Sequence, residues 1–175
     1  MKRILQFMML GAFFLLFTGC PYESDVALSD PKYSKIDNLL IGKWLGTEEI
    51  DSTKKIELYF SKLNSNIYSI KYKQKRRNEM ELKLKGFVTI LNNIKILNIY
   101  DIVDDKSKSP RNKFLFFKYE IVKENIKISF ASDKIVKKRM TSRTELRNFF
   151  INNMNKDGFF EKMDDEGKLT FKKVN

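Results

Sequence analysis

From Ile36 onwards, hydrophobic residues recur mainly with a period of two. Ile56, Leu58 and Phe60 alternate with Glu57, Tyr59 and Ser61; Tyr68, Ile70 and Tyr72 with Ser69, Lys71 and Lys73; Met80, Leu82 and Leu84 with Glu81, Lys83 and Lys85. Successive side chains of a strand face opposite ways, so each run predicts an antiparallel strand with one buried and one wet face. Segments 87–103 and 113–122 are apolar on both faces, which predicts strands covered on both sides or facing a membrane. Ile126, Ile128 and Phe130 resume the alternation. Asn-rich or charged breaks at 62–66, 75–78, Asn92-Asn93, 104–112 and Glu124-Asn125 separate the runs. Short strands at this spacing predict a mainly β fold, an antiparallel meander or barrel.

One segment departs from that period. Ser142 followed three residues later by Glu145 has the form of a capping box. Leu146, Phe149, Phe150 and Met154 then recur at helical spacing, predicting an amphipathic helix over 143–154 that plugs one end of the barrel or packs on its wall. Leu169–Val174 reads as the last strand, so the helix precedes it.

The amino terminus follows different rules. Lys2-Arg3 precede the apolar stretch Ile4–Phe17, and Thr18-Gly19 lead to Cys20, the one cysteine of the chain. A spanning helix needs about 20 apolar residues, so this shorter stretch reads as a cleaved signal. Phe17-Thr18-Gly19-Cys20 resembles the lipobox of bacterial lipoproteins, with Phe17 where that family has Leu. The resemblance implies a signal peptide over 1–19, a diacylglyceryl group on Cys20, and acylation (palmitate) of the new amino terminus. It also implies a protein of the bacterial cell envelope, its partner the membrane itself. Pro21 after the cysteine is not the Asp that retains such proteins in the inner membrane. The expectation is therefore the outer membrane, at its periplasmic face or surface, if the host is Gram-negative.

Removing 19 of 175 residues leaves 156, enough for one domain, expected over 36–175. Residues 20–35, with Pro21, Pro31 and several Ser and Asp, read as the lipidated cysteine followed by a polar tether reaching at most about 50 Å. Losing Lys2 and Arg3 takes the formal charge from +12 to +10. Such a charge favours acidic partners. For an exported chain these are lipid phosphates or anionic polymers, and no nucleic acid is expected.

In the body, Gly42-Lys43-Trp44 on the first predicted strand resembles the Gly-x-Trp signature of lipocalins. That resemblance implies a lipocalin-like barrel whose tryptophan closes the bottom of an eight-stranded cup. The family's late arginine, which stacks on the indole, has no convincing counterpart here. More broadly, the chain resembles small bacterial lipoproteins that begin Cys-Pro-Tyr-Glu-Ser and continue to a Leu-Leu-Gly-x-Trp strand, here Leu39-Leu40-Ile41-Gly42-Lys43-Trp44. This implies placement and fold, with no activity attached.

Trp44, Phe60, Tyr68, Tyr72, Phe116 and Tyr119 are candidates for an aromatic lining that holds an apolar ligand such as a fatty acid; they serve equally as a packed core. Lys71, Lys73, Lys75, Arg76, Arg77, Lys83 and Lys85 lie on two adjacent strands and their turn. They read either as an anionic-surface site or as a solvated face that keeps an edge from aggregating. Asn153–Gly158 with Asp164 partly mimics a calcium loop but lacks the first Asp and last Glu, so a helix end is the simpler reading. With no histidine, the usual zinc ligands and His-activated nucleophiles are missing. No metal, no cofactor and no catalytic residue are expected. The sequence predicts a non-enzymatic, membrane-anchored lipoprotein binding an apolar ligand or envelope component. The alternative is a packed-core interaction protein acting through its basic face on anionic lipid or protein partners.

Overall fold

The computed structural model describes residues 20–47, 55–75, 80–104, 113–136, 138–162 and 170–174. The alternating runs form the strands they predict: β1 (Glu23–Ser24), β2 (Gly42–Thr47), β3 (Lys55–Lys62), β4 (Tyr68–Lys75), β5 (Met80–Leu91), β6 (Ile94–Asp104), β7 (Phe114–Val122) and β8 (Asn125–Ala131), followed by α1 (Arg143–Asn153), β9 (Phe160–Lys162) and β10 (Thr170–Val174). Each of β2 to β8 pairs antiparallel with the next, and β10 inserts between β8 and β2. Eight strands therefore close into an antiparallel barrel, which leaves no open edge around the ring.

Local chemistry sets the turns and bends. Asn92 and Asn93 join β5 to β6 at φ 46° and 65°, the left-handed pair that a tight hairpin needs and that Asn tolerates. Between Lys83 and Lys85 the register against β6 shifts by one residue, and Asp101 (φ 50°) sits in that bulge. Gly86 pairs with Tyr68 of β4 in a tightly packed part of the wall. A methyl group there would come within 2.9 Å of Ile70 Cδ1 and 3.2 Å of the Asn98 carbonyl oxygen.

The register gives the barrel two distinct ends. The ends of β4 and β8 and the starts of β5 and β7 share one, called here the rim. The ends of β5 and β7 and the starts of β4, β6 and β8 share the other, the base.

Two hydrophobic clusters flank one wall. Trp44, Phe60, Tyr68, Ile70, Leu97 and Tyr119 are among those packed inside the barrel. Outside it, Leu146, Phe150 and Met154 of α1 pack on Ile96, Phe116, Tyr22 and Leu28. The apolar-on-both-faces strands are thus buried on both sides, and the helix lies on the wall. Its cap is as predicted at Ser142, whose hydroxyl accepts from the Glu145 N–H at 3.2 Å. The Glu145 carboxylate turns to Lys138 (2.8 Å) and the Thr141 N–H (3.4 Å).

The segment expected to be a free tether over 20–35 is instead a strap fixed to the barrel. Tyr22, Ala27 and Leu28 are buried, and β1 pairs with β7. Asn98, fully buried on the outer wall, accepts from the Leu28 N–H at 3.0 Å and donates to Thr89 Oγ1 at 2.9 Å. Ser34 Oγ accepts from the Val88 N–H and donates to the Val88 carbonyl, filling the β5 edge beyond the start of β4. Asn66 holds the Ser34 carbonyl at 2.6 Å, and Asp25 is gripped by Lys113 and Arg139. The polar composition of the strap serves these bonds, while its few apolar residues cover the wall.

Replacing Asn98 by Ala leaves the Leu28 N–H without its partner in a dry site. The expected cost is about 1–3 kcal/mol of unfolding free energy by urea titration, with faster proteolysis confined to residues 20–34.

Candidate functional site

The base of the barrel is closed by a clasp built around Gly42, Trp44 and Asp37. Gly42 has φ +126°, a conformation that L side chains rarely adopt, and its bare Cα lets the Lys173 stem cross it; a methyl group there would lie 3.1 Å from Lys173 Cε. The Lys173 ammonium then sits 5.3 Å from the Trp44 ring centre and donates to the Leu39 carbonyl at 2.9 Å. The indole, fully buried, donates to the Leu40 carbonyl at 2.9 Å. A late cation does cover the tryptophan, and it is a lysine of β10 rather than an arginine.

Beside it, Asp37 Oδ2 accepts from Lys95 (2.7 Å) and the Tyr119 hydroxyl (3.0 Å), while Oδ1 accepts from the Leu39 N–H (3.1 Å). The Tyr68 hydroxyl accepts from the Asp37 N–H and donates to its carbonyl. Burial pushes the Asp37 carboxyl up, but Lys95, the Leu39 N–H and Tyr119 outweigh it and hold the group below its ordinary 3.8. Burial, and then the Asp37 charge, push Tyr119 above the ordinary phenol range. Burial takes Tyr68 up to about 12. These groups hold one another in fixed charge states and lock the base.

Towards the rim the interior is not filled. A partly open cavity of about 290 Å³ is lined by residues of β3 to β8, among them Phe60, Ile70, Tyr72, Leu82, Leu97 and Phe117. It reaches the rim at Met80, which is 39% exposed. The lining is apolar except for the Tyr72 hydroxyl, which donates to Gln74 Oε1 at 3.2 Å. Among the described residues such a site offers dispersion contacts and water exclusion to an apolar chain, and no charged group to a polar one.

Of the six aromatic candidates, Phe60 and Tyr72 line this cavity. Trp44, Tyr68 and Tyr119 belong to the barrel interior, outside the cavity wall. Phe116 does not join them. Leu115, Phe117 and Tyr119 pack on the interior cluster, so the alternation turns Phe116 outwards, 5.1 Å from Phe150 and stacked on Tyr22. The aliphatic lining residues were legible only as core, since nothing in a Leu or Ile marks whether its neighbours fill the space beyond it. Asp37, Lys95 and Lys173 carried no motif; Asp37 beside Asn38 reads as an ordinary turn.

The basic hairpin is partly neutralised. Lys71 faces Lys83 directly across the β4–β5 ladder, while Lys73 pairs with Glu81 (2.7 Å) and Lys85 with Asp101 (2.9 Å). Arg76, Arg77 and the Lys75 side chain lie outside the described residues. The calcium-loop likeness resolves as a helix end among the described residues. Asn153 Nδ2 donates to the Phe149 carbonyl at 2.7 Å and Gly158 takes φ +76°, while Asp164 lies outside them.

Cys20 is exposed and fixed at the rim. Its N–H donates to Asp133 Oδ1 at 3.1 Å, and its carbonyl accepts from the Asp133 N–H at 3.0 Å. Residues 1–19 lie outside the described part, and no helix among the described residues is long and apolar enough to cross a membrane. Comparison with protein-family models, curated proteins and solved structures finds no match.

The clasp makes stability depend on pH at both extremes. Asp37 has a folded-state pKa below 3.8, so its contribution is complete above that pH and is lost as pH falls below it. Tyr68 has a raised one, so its contribution is complete below pH 10.0 and is lost as pH rises towards about 12. Fluorescence of the sole tryptophan, Trp44, should report loss of the native signal within each window. Tyr68→Phe should lower stability at neutral pH and flatten its alkaline decline.

Proposed function

We propose that this chain is a non-enzymatic lipoprotein of the bacterial cell envelope, acylated at Cys20, whose lipocalin-like barrel binds an apolar ligand. In a Gram-negative host its place is the outer membrane. The observation that carries the ligand reading is the apolar cavity between Phe60, Tyr72, Leu82 and Leu97. A packed core would leave no such space, because interiors of this size fill to the density of organic crystals. The lipobox-like Phe17-Thr18-Gly19-Cys20 supports the anchor, and exposure of Cys20 leaves its thiol accessible.

A second reading rests on Lys71 opposite Lys83. Like charges facing across a ladder repel, and an anionic surface over this face would lessen that repulsion. Ion pairs at Lys73 and Lys85 reduce the charge such a surface would meet, which makes this reading the weaker one.

The test uses the mature chain with Cys20→Ser and a neutral apolar fluorophore. Saturable binding is expected, and Leu82→Trp, which fills the cavity near the rim, should weaken it about tenfold or more, equivalent to roughly 1.4 kcal/mol. The melting temperature should change little, because the indole occupies space already empty. Equal binding by both proteins would remove the ligand reading. Salt-sensitive binding to anionic vesicles, lost on Lys71→Glu, would replace it with the second.

A further inference from the structure

We propose that Cys20 seats the barrel rim-down on the bilayer, and that the cavity takes a single acyl chain of a membrane lipid from that surface. The inference rests on the anchor and the cavity proposed above and adds the orientation and the source of the ligand.

It follows from the lack of slack between Cys20 and the barrel. β8 ends at Ala131, whose carbonyl accepts from the Tyr22 N–H at 2.7 Å; Pro21 bridges to Ser132, and Cys20 is doubly bonded to Asp133. Chains attached to Cys20 Sγ therefore begin only two residues beyond a barrel strand, at the rim. The strap leads away from there. It passes Asn98 on the outer wall, then Val88, and reaches the base at Asp37. β5 has 12 residues, and at the tilt of barrel strands this places the base roughly 30 Å from the rim. Only the rim is held at the membrane.

The cavity meets the rim at Met80 and is separated from the base by the Trp44 clasp. The anchor and the accessible end of the cavity thus share one end of the molecule. The volume of about 290 Å³ equals about ten waters' share of liquid, or roughly one chain of ten methylenes. Among the described residues its lining has no charged partner, so a headgroup stays outside, at the level of the other headgroups. A chain rising from the bilayer meets both conditions without its polar end being desolvated.

The base offers the competing orientation. Leu39 and Ile90 are each 59% exposed and Val122 48% exposed, and a membrane could in principle receive them. The experiment separates the two. The full-length acylated protein is reconstituted into phospholipid vesicles. A single fluorophore is attached through Met80→Cys, or through Lys113→Cys as a second rim position, and through Val122→Cys at the base. Nitroxide-bearing lipids should quench both rim positions several-fold more than the base. Stronger quenching at Val122, or none anywhere, overturns the orientation. Incorporation of two labels would mean that the Cys20 thiol is bare, which overturns the anchor and this inference with it.

In the same vesicles, a phospholipid with a photoreactive acyl chain should cross-link to the peptide carrying Tyr72, and Leu82→Trp should abolish the product. Rim quenching without that cross-link would leave the orientation standing and overturn the acyl-chain ligand. Cross-linking only by a photoreactive free fatty acid would overturn the bilayer as its source.

Discussion

The hydrogen bonds of one buried amide hold much of this molecule together. Asn98 sits with no exposure on the outer wall and ties the Leu28 backbone to β5 and β6 at once. In a site closed to solvent, each of these bonds lacks a ready substitute, so releasing the strap from the wall leaves buried polar groups unpaired. That coupling lets β5 to β7 be apolar on both faces without exposing a sticky surface. It also delivers two distant groups to fixed places, Cys20 to the rim and Asp37 to the base.

The two ends of the barrel then divide the work. At the base, bulky aromatics, a carboxylate and two lysines fill or bond to everything within reach. At the rim, Leu, Ile and Phe side chains surround space they do not fill. Leaving a void costs stability, since its lining atoms lack partners on one side. A closed ring of paired strands, covered along one wall by a helix and a strap, supplies the rigidity to keep that void from collapsing.

Much of the architecture was legible in the residues. The period of two placed the main strands, Asn92-Asn93 placed a hairpin, and Ser142 with Glu145 placed the helix start to the residue. Gly42-x-Trp44, through its resemblance, pointed to a closed base, and the structure supplies the physical reason: a backbone conformation and a close lysine path that favour glycine. The strap was not legible. Tyr22, Ala27 and Leu28 are too few among Ser, Asp and Pro to show a period, so average composition outweighed the handful of side chains that are buried. The cavity was not legible either. Parity tells which way Phe117 or Leu97 points, but whether inward residues meet in the middle depends on barrel diameter and strand stagger. Phe116 illustrates the limit: aromatic character suggested a lining role, and one step of alternation placed it on the opposite face.

Residues 20–34 are a fixed strap and not a tether. Native-state hydrogen–deuterium exchange of the protein reads this out amide by amide. The Tyr22, Leu28 and Ser34 amides should exchange slowly, with protection approaching that of β5 and β6. Exchange of these amides at the rate of an unstructured linker would mean that the segment is a tether after all.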